Sequence, residues 1–488
     1  MTKLKILLVI FTLTIGLLLR LYKINSPVAD WHSFRQADTA SVTKIFSQQG
    51  IDLLHPKYHD LSNTQSGLNN PNGYRMVELP IYNAISVYFH NIFNTNIDIS
   101  SRLVSIIFSL GSALLIFMIC YQQTKLFLRS FFGLVIFLFL PFNIYYSRTI
   151  LPEPTTVFFM LLSLYFLSKN IFISALTLAI AVLLKPYTAI ILFPVIATYL
   201  IIHRSKYLNF KSIIKLVLFC LISFIPFILW RIWIGKYPEG IPKSDWLLND
   251  GVTNTFPAWF HGYSLSFLNK LVAFRPHWWQ WLFAERIANL ILGTFGIIPL
   301  FLGLAFKKNR TQTFSVSLVL GILLYFIVVA QGNIQHDYYQ VLIIPFISIL
   351  LGFGYYYITK FLFGNTIAGI TSLIIIFCFS TYFSFIKINE YYKINNQSII
   401  TAGQKVDEIT PKNSIIIAPY NGDTAFLYQT NRTGFPIEIY DFNTLKSEFA
   451  NRPIYFVSVN FDDYTNKVIK QFPTVYRDSQ FIILNINK

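Results

Sequence analysis

Long apolar runs recur along this chain, and no other feature limits its fold so strongly. A run of about 17–25 apolar residues can cross a bilayer as a helix, because roughly 20 residues at 1.5 Å rise span a 30 Å hydrocarbon core. About eleven such runs occur, near residues 4–22, 101–120, 130–147, 152–168, 171–184, 188–202, 213–234, 281–306, 313–331, 341–359 and 366–386. The fifth and sixth are short, and the break at Lys185-Pro186 divides them. The first is expected to remain as a span, since no small-residue cleavage site follows Arg20-Leu21-Tyr22. Composition agrees. Only 12% of the 488 residues are charged, against about 25% in a soluble protein, too few to cover a water-facing surface of this size. Aromatic content of 17% excludes a disordered chain, which would be polar and poor in aromatics. The expectation is a polytopic membrane protein of about eleven transmembrane helices.

The formal net charge of +17 invites a nucleic-acid reading, but its distribution argues against nucleic acid as a partner. With the N-terminus in the cytoplasm, Lys3, Lys5, Lys125, Arg129, Lys169, Arg204, Lys206, Lys211, Lys215, Lys307, Lys308, Arg310 and Lys360 fall at cytoplasmic ends. Those connections contain no Asp or Glu. A basic excess on one side is the signal that sets membrane orientation. The acids then lie on the outer side or at its membrane boundary, and an odd number of crossings places the C-terminal tail outside.

Cys120, Cys220 and Cys378 lie inside apolar runs and read as packing or lipid-facing residues, not as disulfide partners or metal ligands. The chain has no P-loop or dinucleotide fingerprint, which argues against an ATP-driven pump. It also has no visible fixed-period repeat, so an inverted-repeat transporter gains no support.

Residues 23–100 form a long first outer loop, and loops of that length are usually functional. Ser33-Phe34-Arg35-Gln36 has capping-box spacing, and Val42, Ile45, Phe46 and Gln49 follow as a helical stripe. This places Asp38 near the start of a short helix, where the dipole favours a negative charge. The segment 79–93 is apolar but only about 22 Å long as a helix. Asn83, Ser86 and His90 share one of its faces, so it is expected to lie along the membrane surface. A second outer loop, 235–280, carries Pro238, Pro242, Asp245, Asp250 and the run Arg275-Pro276-His277-Trp278-Trp279-Gln280-Trp281, whose tryptophans read as an interface belt. Residues 397–488 have soluble composition. Their apolar runs 414–418, 454–459 and 481–486 alternate with helix-like stretches, the pattern of a small extracytoplasmic α/β domain.

Ionisable residues at membrane depth are costly and mark function. Here they gather where helices meet the outer face: Asp30 and Asp38 after the first span, Glu78 before the surface helix, Arg148 and Glu153 between the third and fourth spans, Lys185 between the fifth and sixth, and His336 and Asp337 between the ninth and tenth. Carboxylates together with lysine, arginine and histidine suit a reaction that needs a base and cations to neutralise a phosphate. An external compartment offers no nucleotide, so an activated substrate would arrive on a lipid.

Asp30-Trp-His-Ser-Phe-Arg-Gln-Ala-Asp38-Thr-Ala, Glu78-Leu-Pro-Ile-Tyr82, Leu151-Pro-Glu153-Pro, Leu184-Lys185-Pro and Gln335-His336-Asp337-Tyr-Tyr339 resemble membrane glycosyltransferases of the GT-C fold. They are most like the glycosyltransferase 39-like group, with the protein O-mannosyltransferases and the lipid A aminoarabinose transferase as relatives. The resemblance covers roughly residues 1–390, which would form the transmembrane transferase domain. It implies a hexosyl- or pentosyltransferase using a polyprenyl-phosphate-linked sugar at the outer face of a bacterial-type plasma membrane, with a glycan or lipid, less readily a protein, as acceptor. Such enzymes take an acidic residue of the first outer loop as catalytic base. The family often places an Asp-Glu pair at the start of that loop's helix, and Arg35-Gln36 stand there in this chain. Asp38, one turn on, is the first choice for the base and Asp30 the second.

The resemblance further implies a single inverting displacement. Lys185, Arg148 and His336 are the candidates to neutralise the leaving phosphate, while Glu78, Glu153, Arg35 and Asp337 would orient the acceptor or hold those cations. A monophosphate leaving group does not oblige a metal; the sequence indicates no cofactor, though a divalent ion stays compatible with it. Each residue has a plainer reading. Asp38 would pair with Arg35 on one helix face, Asp30 would be an exposed acid, Glu153 a helix-start residue, Lys185 a snorkelling lysine, and His336 an interfacial histidine. Tyr338-Tyr339 would be interface anchors, and Arg275 and His277 surface residues. The competing functions are a transporter or flippase of lipid-linked glycans, an oligosaccharide ligase or polymerase, and a membrane scaffold.

Overall fold

The computed structural model describes residues 2–207, 209–243, 276–305, 310–362 and 367–487. Asp245, Asp250 and Arg275 lie outside the described residues. Helix occupies all or most of each apolar run named above. Among the described residues, five helices are long and apolar enough to cross a membrane: Ile97–Thr124, Phe210–Ile234, Thr311–Val328, Asp337–Lys360 and Ile367–Tyr392. Four shorter apolar helices, Phe127–Phe139, Glu153–Phe166, Ile171–Leu184 and Tyr187–Ile202, accompany them. The chain is a multi-pass membrane protein. Contacts divide it into two compact units, Met1–Ile24 with Arg102–Arg231 and Trp259–Tyr391, and Asn25–Ser101 with Ile232–Ala258 and Tyr392–Lys488.

The first unit is helical. Among its long helices Asp337–Lys360 is the best buried, with 89% of its most apolar stretch inside the protein, whereas that of Ile367–Tyr392 is only 17% buried, and the latter helix carries exposed Ile370, Ile374, Phe379 and Phe383. Apolar solvation by lipid explains how such a face is tolerated. Small residues set the close packing, as expected where no hydrophobic drive separates helix from lipid. A Cβ on Gly352 would strike the backbone of Gly133, and one on Gly354 the carbonyl of Pro299. These contacts press Phe127–Phe139 and Ile297–Leu302 against Ile344–Tyr357. Cys120 is buried while Cys220 and Cys378 are exposed, and all three are free thiols. Trp278 is buried against Trp279 and Phe326, so it packs inside the unit and does not serve as an interface anchor.

The second unit joins residues 397–488 to the first outer loop. The expected tail sheet is present: β1 (Ile415–Ile417), β2 (Thr433–Phe435), β3 (Ile454–Ser458), β4 (Thr474–Arg477) and β5 (Ile482–Asn485). Their order is β2-β1-β3-β5-β4. Strand β1 runs parallel to β2 and β3, while β5 is antiparallel to β3 and β4. The outer edge of β2 is not left open. Leu61 N–H donates to Gly434 O at 2.8 Å, and Gly434 N–H donates to His59 O at 2.9 Å. Leu61 enters the sheet's apolar core beside Ile415, Ile417 and Phe456. A loop from early in the chain thus covers an edge that would otherwise template pairing.

The segment expected along the membrane surface is the helix Ile81–Phe93. Its polar face is not solvated. Asn83 is buried and donates to Thr39 O at 2.8 Å and Thr43 Oγ1 at 2.9 Å on the helix Ser33–Gln49. Buried amides need partners, and the neighbouring helix supplies them. The exposed residues are Tyr88, Asn91, Ile92 and Phe93, a largely apolar set suited to lipid.

Candidate active site

In the second unit the helix Ser33–Gln49 carries two of the predicted residues, Arg35 and Asp38. Its start differs from the capping-box expectation. His32 adopts a left-handed conformation at φ 55°, and no side chain caps the helix. Gln36 turns away from the cap to donate to Asp30 Oδ1 at 2.7 Å and Trp31 O at 3.0 Å. Asp30 is therefore a buried acid with a built partner, not an exposed loop residue. Asp38 falls in the helix's second turn, beyond the first turn where the dipole acts most strongly.

Asp38 is 2% exposed, so its charge must be matched by neighbours. The match is not Arg35. Arg75 Nη2 lies 2.9 Å from Asp38 Oδ2. Gln65 Nε2 donates to the same oxygen at 3.2 Å, and Thr424 Oγ1 donates to Asp38 Oδ1 at 2.7 Å. Arg75 also donates to Gln65 Oε1, which fixes the amide orientation. Arg35 pairs instead with Glu78. These two ion pairs line a small cleft with Thr39, Val42, Pro56 and Asn83. Its charged lining, Arg35, Arg75, Asp38 and Glu78, sums to zero.

Two further carboxylates stand near Asp38 electrostatically. Burial pushes Asp60 up to about 6 against the bonds from Ser62, and the Asp38 charge raises it further. Asp423 is likewise pushed up to about 6, by burial first and by Asp38 as well, against the bond from the Ala425 N–H. Arg75, Gln65, Thr424, Asp60 and Asp423 had not been singled out from the sequence. The spacing of Arg75 three residues before Glu78, in a loop already marked as functional, was the one signal available.

The first unit holds the other candidates. Lys185 ends the helix Ile171–Leu184 in an extended conformation, at the break expected there. Its Nζ lies 3.1 Å from Glu153 Oε1, and both side chains are buried. Glu153 is the first residue of Glu153–Phe166, so it combines a dipole-favoured position with an ion pair. Arg148 is 1% exposed, donates to Lys23 O at 3.0 Å and lies over the Tyr145 ring at 5.3 Å. His336 stacks on Tyr338 with ring centroids 5.2 Å apart. Tyr338 is buried and so is no interface anchor. Asp337 is fully buried. It accepts from Tyr146 and Tyr391 and lies 3.3 Å from Arg286 Nη1, three partners the sequence reading did not name. Its charge is matched within the first unit, one residue from His336. Among the described residues no group of three His, Cys, Asp or Glu side chains is placed to hold a metal ion.

Residues 78–230 match the sequence family described as dolichyl-phosphate-mannose-protein mannosyltransferase. No curated protein matches the chain. Among solved structures, ArnT from Cupriavidus metallidurans bound to undecaprenyl phosphate is similar, with a TM-score of 0.62 and 11% identity over 98% of both chains. The oligosaccharyltransferase AglB from Archaeoglobus fulgidus, in complex with an inhibitory peptide and a dolichol-phosphate, matches at a TM-score of 0.54 and 10% identity, over 94% of this chain and 70% of that one. The arabinofuranosyltransferase AftD from Mycobacteria matches at 0.50 and 11% identity, over 98% of this chain and 40% of its own.

Proposed function

We propose that this chain, which has the GT-C fold of those membrane glycosyltransferases, is an inverting transferase. It moves a sugar from a polyprenyl-phosphate carrier to a lipid-linked or cell-surface glycan. The reaction takes place at the outer face of a bacterial-type plasma membrane, with the N-terminus in the cytoplasm and the tail outside. Asp38 takes the proton of an acceptor hydroxyl as its oxygen attacks the anomeric carbon. The new carbon–oxygen bond forms as the bond to the carrier phosphate breaks, and the electron pair leaves on the phosphate. Attack from the face opposite the carrier inverts the anomeric centre. Lys185, Arg148 and His336 neutralise the leaving phosphate, where pre-set cations in a dry site are most effective. Glu153 holds Lys185 for that task. Asp30 remains the second choice of base.

The observation that carries this reading is the state of Asp38. An ionised carboxylate offers about four lone-pair directions. Arg75 and Gln65 take two on Oδ2, and Thr424 takes one on Oδ1. The last direction, on Oδ1, meets only the outlying Gln65 Nε2 at 3.5 Å, a contact that an incoming hydroxyl can displace, on a residue that lines the cleft. The neutral sum of the cleft's charges favours a polyol over an anionic acceptor, which supports a sugar hydroxyl as nucleophile.

The test is mass spectrometry of surface glycans and lipids from cells lacking this protein, and from the same cells carrying wild type or Asp38→Asn at equal membrane levels. Loss of one sugar mass, restored by wild type and not by Asp38→Asn, is the expected result, and the mass identifies the sugar. Full restoration by Asp38→Asn removes that residue as the base and moves the role to Asp30. Unchanged glycans in the deletion cells favour a scaffold. Accumulation of the complete lipid-linked glycan would instead point to a flippase or a ligase.

A further inference from the structure

The short helix Thr424–Gln429 of the tail is placed by its first residues. Asp423 caps it, accepting from the Ala425 N–H at 2.7 Å. The turn before it needs φ 53° at Asn421 and 78° at Gly422, and Gly422 N–H donates to Pro436 O at 3.0 Å. A Cβ on Gly422 would sit 2.9 Å from Thr64 Cγ2, so a side chain there would collide with the first outer loop. Gln429 Nε2 donates to Val28 O at 3.0 Å at the other end of the helix. The helix is thus pinned to the first outer loop at both ends, which leaves Thr424 little freedom. Thr424 is 3% exposed. Its Oγ1 lies 2.7 Å from Asp38 Oδ1 and 3.2 Å from Phe34 O. A hydroxyl has one proton, and the shorter, charge-assisted contact receives it.

We propose that Thr424 of the tail is a positioning residue for the transfer reaction, its hydroxyl fixing how the Asp38 carboxylate faces the acceptor. The inference rests on the reading of Asp38 as base. It gives the tail a part in the chemistry: a residue 386 positions away from Asp38 supplies one of the three bonds that orient it. The charged groups facing Asp38 are Arg75 at 2.9 Å and, at longer range, Asp60 and Asp423; Arg35 and Glu78 line the same cleft. Arg75 favours the ionised form, while Asp60 and Asp423 oppose it once they ionise.

The experiment compares wild type, Thr424→Val, Thr424→Ser and Asp38→Asn in membrane vesicles from deletion cells, reading the rate at which the endogenous acceptor gains the missing sugar mass. Rates are taken across the acid limb of the pH profile at matched protein levels. Thr424→Val, close in shape but without the donor, is expected to slow transfer about tenfold or more. Its acid limb is expected to move as well, because the reacting carboxylate has lost a hydrogen bond. Thr424→Ser is expected to restore both rate and limb. Should Thr424→Val fail to accumulate, Thr424→Ala takes its place. A wild-type rate and limb in the hydroxyl-free variant overturn the proposal. So does an equal loss in the valine and serine variants with the limb unmoved, which assigns Thr424 to packing. Activity in Asp38→Asn overturns the base reading itself, and that outcome is separate from any behaviour of Thr424.

Discussion

The guanidinium of Arg75 holds the carboxylate of Asp38 at 2.9 Å, and both side chains are almost wholly buried. Removing one partner of a buried pair leaves an unmatched charge, typically at a cost of about 3–5 kcal/mol. Arg75→Gln is therefore expected to lower the thermal unfolding midpoint of the detergent-solubilised protein at neutral pH. The sign with pH follows from linkage. A deficit that comes from an unmatched carboxylate charge is expected to shrink once acid removes that charge. Unfolding midpoints of variant and wild type measured at several pH values check this. A deficit that grows toward acid pH would show that Arg75 stabilises something other than the Asp38 charge.

Asp60 and Asp423 give a second pH signature, in which removing a carboxylate is a gain and not a loss. Each is raised from the ordinary carboxylate value of 3.8 to about 6 by burial, with Asp38 adding to the effect. Their contribution to stability is fully present below about pH 4 and is lost as pH rises through about 6. Asp60→Asn keeps an oxygen for the Ser62 N–H, which Asp60 now binds at 2.8 Å, and removes the charge. It is expected to stabilise the protein at pH 7.5 by roughly 1–3 kcal/mol and to change little near pH 4. A uniform gain or loss across that range, seen in the same unfolding series, would contradict the assigned cause.

Much of the fold was legible in the sequence because its signals are local and repeated. Apolar runs mark the helices, Lys185-Pro186 marks a real break, and the runs 414–418, 454–459 and 481–486 became β1, β3 and β5. The candidate residues were legible as chemistry, since acids and cations in an apolar chain stand out. Their partners were not. Arg35 was assigned to Asp38 because it is a helical neighbour, yet Glu78 takes it and Arg75 takes Asp38. Nothing in local periodicity reports a contact between Thr424 and a helix near the other end of the chain. The same holds for Tyr146, Arg286 and Tyr391, which converge on Asp337 from three separate helical segments. The Ser33-Gln36 spacing misled for the reverse reason: a local motif was available, but the buried Asp30 carboxylate competed better for the glutamine.

Lys185 and Glu153 allow the phosphate-neutralising role to be separated from the structural one. Lys185→Met removes the cation and strands Glu153; Glu153→Gln keeps the cation but loosens it. If Lys185 meets the carrier phosphate, Lys185→Met is expected to slow transfer by at least about tenfold with either residue at 153. Glu153→Gln alone is expected to cost less. In a purely structural pair, the double variant would recover most of what either single change lost, since no buried charge remains unmatched. Transfer rates and unfolding midpoints of the four proteins decide between the two outcomes.

The close approach at Gly354 supplies a test of the helical packing that bears the cations. Alanine is a better helix former than glycine by roughly 0.5–1 kcal/mol, so Gly→Ala inside a helix is ordinarily stabilising. Gly354 lies within Ile344–Tyr357, where an added Cβ would run into the Pro299 carbonyl, a backbone atom that no rotamer change can move aside. The sign is therefore expected to reverse. Gly354→Ala should lower the unfolding midpoint and the yield of protein extracted in folded form, and Gly354→Val should do so more severely. Overpacking of this kind costs about 1–3 kcal/mol where neighbours can shift and more where they cannot. An alanine variant as stable as wild type, or more so, would mean that the two helices are free to separate and that the packing around Ile344–Tyr357 is looser than the glycine contacts require.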